Sequence, residues 1–83
     1  VSLIDNVINN EIQIYVKESD FDKMDIKVYS LNGELINSYN FMISNVKNSF
    51  INIPIEVQVS GTYLYTIELD GNYLKTNKFQ VVK

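Results

Sequence analysis

The chain contains no cysteine, no histidine and no tryptophan, and all seven of its basic residues are lysine. Without cysteine no disulfide framework or thiolate metal site is available, and the redox compartment stays unread. Without histidine the usual neutral-pH acid–base group is missing, and with cysteine gone too the ordinary catalytic triads have no members to draw on. The absence of arginine and a net charge of −3 argue against nucleic acid and anionic membrane as partners, because both need clustered cations to replace counterions. No apolar run approaches the roughly 20 residues of a membrane-spanning helix, and no basic, apolar, small-residue leader opens the chain. Because it starts with Val1 and not Met, the chain reads as a piece of a longer precursor.

Eighty-three residues make a single domain, and a chain of this length buries only roughly 60 to 65% of its unfolded surface, a thin stability margin. What it does contain is alternation. From Gly61, residues Tyr63, Tyr65, Ile67 and Leu69 alternate with Leu64, Thr66 and Glu68, the two-residue period of a strand with unlike faces. Asp70-Gly71 suits a two-residue turn with positive φ at both positions, so Asn72 to Val82 should return antiparallel. The same period places Ile12, Ile14 and Val16 on one face of a strand over Glu11 to Lys17, and Ile26 and Val28 on one face of another over Asp25 to Ser30.

Between these two strands, Glu18 to Met24 reads as a polar loop with Phe21 folded onto the core edge. Asn32-Gly33 predicts a second two-residue turn, followed by a strand over Glu34 to Ser44 whose phase slips near Asn37 to Asn40. The loop Asn45 to Asn48 precedes Ile51 and Ile53, and Pro54 ends central pairing because it has no amide hydrogen. Ile55 to Ser60 should wander, with Val57 or Val59 dipping inward. Residues 1–10, broken by Asn6, Asn9 and Asn10, read as a lead-in segment, and residues 11–83 as the domain. Six to seven strands with no helical period point to an all-β fold, a small antiparallel β-sandwich of immunoglobulin-like type, with a small barrel as the alternative.

The residues offer little chemistry. The acids fall in loops or at outward strand positions, where solvated carboxylates are the rule, so no catalytic residue, cofactor or metal ligand is assigned and no enzyme is expected. Glu18, Asp20, Asp22 and Asp25 have alternate spacing that calcium would use, but lack the central Gly and final Glu of a calcium loop and read as an acidic hairpin loop. Tyr15, Tyr29, Tyr63, Tyr65 and Tyr73 could line a sugar-stacking face, although strands favour tyrosine in any case.

Three segments together resemble the type A C-terminal sorting domain of the type IX secretion system: Val28-Tyr29-Ser30-Leu31-Asn32-Gly33, Gly61-Thr62-Tyr63-Leu64-Tyr65-Thr66-Ile67, and Lys78-Phe79-Gln80-Val81-Val82-Lys83. In that family a strand enters a Leu-x-Gly hairpin, Gly-x-Tyr opens a later strand, and a Lys followed by β-branched residues closes the protein. The chain differs in having Asn9-Asn10 near where an Asn-Pro pair is common, Ser30 in place of an Asp, and Glu34 where a basic residue is typical. The resemblance implies an export address without an active site, joined covalently to an N-terminal cargo. It implies recognition by the outer-membrane translocon and removal by a sortase-like peptidase, with cargo passing through periplasm and outer membrane to the medium or cell surface. Gly33, Gly61, Tyr63, Lys78, Phe79, Val81, Val82 and Lys83 are the partner-recognition residues this reading nominates. The competing expectation is an immunoglobulin-like accessory module that binds carbohydrate or protein within a secreted multidomain protein.

Overall fold

The computed structural model describes residues 2–8, 10–18, 21–42, 49–57 and 59–82. Seven strands carry them: β1 (Ser2–Ile8), β2 (Glu11–Glu18), β3 (Lys23–Ser30), β4 (Leu35–Met42), β5 (Ser49–Pro54), β6 (Gly61–Leu69) and β7 (Asn72–Val81). They form two antiparallel sheets, ordered β1-β2-β5 and β4-β3-β6-β7. Among the described residues there is no helix, and no strand of one sheet is ladder-paired with a strand of the other, so the fold is a β-sandwich and not a closed barrel.

The alternation seen in the sequence is what lets the sheets face each other. β2 turns Ile12, Ile14 and Val16 inward, β3 turns Met24, Ile26 and Val28, and β6 turns Tyr63, Tyr65, Ile67 and Leu69. Ile51 and Ile53 of β5 and Phe79 and Val81 of β7 complete the layer, with Phe21 and Val57 buried at its margins. Each fully buried isoleucine contributes about 1.5–3 kcal/mol. Val59, the other candidate for burial, is exposed.

Four features depart from the sequence expectations. Ser2–Ile8, read as part of a lead-in, is a strand paired with β2 along its length. Its polarity is partly inverted, with Ile4 and Ile8 outward and Asp5 inward, which hides the period. Met24 belongs to β3 and lies wholly within the core, one residue earlier than the expected strand start.

The Leu31-Asn32-Gly33 connection is a three-residue hairpin loop. Gly33 has φ 90° while Asn32 does not enter the positive region, and the Gly33 amide donates to the Ser30 carbonyl at 2.9 Å as the Ser30 amide donates to that of Glu34. A type I turn followed by a left-handed glycine explains both. The slip in β4 falls at Ile36, because Val28 faces Asn37 and Tyr29 faces Leu35, slightly before the expected span.

The β6–β7 turn matches its two-residue expectation, with Asp70 at φ 52° and Gly71 at φ 83°. Gly71→Ala should therefore lower stability by about 1 kcal/mol, read as a reduced urea midpoint at unchanged slope. Gly61 lies outside the positive-φ set. A Cβ there would meet Tyr63 Cε2 at 3.9 Å, an ordinary contact, so Gly61→Ala should leave the midpoint where it is.

Candidate recognition surface

The register of the four-stranded sheet gathers residues that are far apart in sequence. Ser30 faces Tyr63 across β3 and β6, Tyr63 faces Phe79 across β6 and β7, and Gly61 faces Val81. One end of the sheet thus holds the 31–33 turn, the start of β6 and the end of β7. β7 is an edge strand of this sheet, ladder-paired with β6 alone.

The nominated residues divide by burial. Tyr63, Phe79 and Val81 are core residues, while Gly33, Gly61, Lys78 and Val82 are exposed, Val82 at 81%. Lys83 lies outside the described residues. The Tyr63 ring stacks on Phe79 with centroids 5.9 Å apart and planes 27° apart, and its hydroxyl donates to the Val59 carbonyl, fastening the approach to β6. Of the exposed members, Lys78 and Val82, with Gln80 beside them, offer side-chain surface to a partner, and Gly33 and Gly61 offer backbone.

A cleft of about 460 Å3 lies between the two edge strands β1 and β7, lined by residues 5–7 of β1, Tyr65 of β6 and residues 77–80 of β7. At it sits Asp5, whose side chain is 2% exposed and paired with the Lys75 ammonium. The Tyr65 hydroxyl and the Asn77 amide also donate to its carboxylate, and Asn77 Nδ2 donates to the Tyr65 hydroxyl at 3.1 Å. Burial pushes the Asp5 carboxyl up, but the hydrogen bond from Lys75, that from Tyr65, the Lys75 charge and the Asn77 amide together hold it below its ordinary value. Burial and then the Asp5 hydrogen bond push the Tyr65 phenol far above its ordinary value, against a smaller opposing effect of Asn77. The phenol therefore stays protonated as a donor. With three donors on one carboxylate, the arrangement acts as a clamp between the sheets. On the opposite side, Asn37 Nδ2 donates to the Glu56 carbonyl and the Tyr39 hydroxyl to that of Pro54, each at 3.4 Å.

Two other groups singled out in the sequence have other surroundings here: the acidic segment is not a hairpin loop, because β2 and β3 lie in different sheets. In the acidic loop, the side chains of Glu18 and Asp20 lie outside the described residues. The Asp22 and Lys23 amides donate to Asp70 Oδ1 at 3.1 and 3.0 Å, and Asp25 pairs with Lys23 at 3.7 Å. Among the described residues no group of three or more potential ligands gathers. The five tyrosines do not share a face: Tyr63 and Tyr65 are buried, Tyr15 lies on the outer side of the three-stranded sheet, Tyr29 is half-buried on β3, and Tyr73 is exposed on β7. Sequence reasoning missed Asp5 and Asn77, whose only signal was a carboxylate at an inward strand phase.

Asp5→Asn should cost roughly 1–2 kcal/mol at neutral pH, because it removes the charge from a carboxylate that accepts three hydrogen bonds, while half-exposed Lys75 can turn to water. A depressed carboxylate contributes stability above its unfolded value, 3.8, and loses it as pH falls through the folded value. The gap between wild type and Asp5→Asn should accordingly close as urea melts are taken below that value, and a gap independent of pH would show that the charge is not what stabilises.

No protein-family model and no curated protein matches this chain.

Proposed function

We propose that the chain is an export address, a sorting domain of the type IX kind that carries an N-terminal cargo across the outer membrane to the medium or cell surface. What supports this reading is that the three segments carrying the resemblance lie side by side on β3, β6 and β7, with Ser30, Tyr63 and Phe79 in one cross-strand row. Buried Tyr63, Phe79 and Val81 hold that end of the sheet together, while Lys78, Gln80 and Val82 face outward from an edge strand. An edge strand of this type can be read through its backbone by strand addition, with alternate side chains supplying selectivity. The translocon and a sortase-like peptidase are the partners this implies. The alternative, an accessory binding module, draws support from a different surface, the outer face of the β1-β2-β5 sheet.

Fusion of Val1 to Lys83 behind a periplasmic reporter, expressed in a type IX-competent strain, tests the reading. Wild-type fusion should reach the medium or surface. Gly61→Ala and Lys78→Ala, both at exposed positions, should reduce export severalfold while the purified domains keep the wild-type urea midpoint. Retention of the wild-type fusion in the periplasm would overturn the proposal, and full export of both folded variants would remove these residues from the recognised surface.

A further inference from the structure

The outer face of the three-stranded sheet carries two parallel rows of unlike chemistry. Ile4, Tyr15 and Phe50 face one another in register across β1, β2 and β5, and so do Asn6, Gln13 and Asn52, two residues along each strand. The rows are therefore about 7 Å apart, and each spans roughly 10 Å across the strands. Ile4 and Phe50 are 64% and 68% exposed, and the Tyr15 and Phe50 rings lie 4.9 Å apart, tilted by 42° into one aromatic surface. Gln13 and Asn52 have no side-chain hydrogen-bond partner among the described residues, and Asn6 is oriented by accepting from the Val7 amide at 2.8 Å, which leaves its amino group free. Among the described side chains of this face, Glu11 alone is charged at neutral pH.

We propose that this face binds a neutral polysaccharide. The apolar row offers ring faces and aliphatic surface to the C–H side of a pyranose. The amide row offers a donor and an acceptor on each side chain, matching hydroxyl groups that both give and accept. Among the described side chains of this face, an anionic ligand finds no counter-charge. A flat apolar protein surface would bury the three amides without partners, at a cost that a polyhydroxylated ligand avoids. This inference stands on residues separate from the β7 edge and does not depend on the export reading.

The folded chain should be retained by at least one of insoluble cellulose, xylan, β-mannan or chitin, and not by polygalacturonate at the same concentration. Phe50→Ala should weaken that retention about tenfold or more and Asn52→Ala severalfold, with thermal midpoints near wild type because both side chains are exposed. Tyr73→Ala, exposed on the other sheet, should change nothing. No retention on any of the four, retention undiminished by Phe50→Ala and Asn52→Ala, or preference for polygalacturonate would each overturn the proposal. So would a concentration-dependent dimer in sedimentation that Phe50→Ala abolishes, since the face would then belong to a second copy.

Discussion

One apolar layer holds the two sheets together, and every other feature of the molecule is arranged around keeping it dry. Ile12, Ile14 and Val16 from the middle of one sheet meet Met24, Ile26, Val28, Tyr65 and Ile67 from the two central strands of the other. Small domains have net stabilities of about 5–15 kcal/mol, so a core of this size leaves no surplus. The edges need closing as well, since a sandwich of three strands on four has open flanks where water reaches the layer.

The flanks are closed in two ways. On the side of β4 and β5, hydrogen bonds from Asn37 and Tyr39 reach backbone carbonyls of the segment around Pro54. On the side of β1 and β7, a buried carboxylate does the work. Such a group is costly unless it is paired and hydrogen-bonded, and Asp5 meets the condition through Lys75, Tyr65 and Asn77. The tie is directional, which an aliphatic contact would not be. It specifies which β7 residue lies against which β1 residue, and so the relative position of the two sheets.

The parts of this fold that were legible in the sequence are those whose cause is local. Strands β2, β3 and β6 follow from strict alternation, and the turn at Asp70-Gly71 from a dipeptide that accepts positive φ. The turn at Gly33 was half legible: the glycine is left-handed, but the loop length depends on the Ser30 and Glu34 pairing, which no dipeptide encodes. β1 was illegible because an inward Asp5 makes sense only beside Lys75 and Tyr65, residues supplied by strands at the other end of the chain. The candidate surfaces behave alike. Alternation alone separates exposed Lys78 from buried Phe79, whereas the aromatic and amide rows exist only once the register of three strands is known.

The order of strands along the chain sets the order in which the molecule can assemble. β3 occupies an interior place in its sheet, yet one of its two neighbours, β6, begins only at Gly61. The β6–β7 hairpin is a local structure that forms on a timescale of about 1–10 μs, but its docking onto β3 must close a long loop first. Until the last two strands are available, the inward side of β3 has half a sheet to rest in and the clamp at Asp5 has no partners. During synthesis the apolar strands β2 and β3 therefore stay unprotected until the residues from Gly61 onward have emerged and can dock.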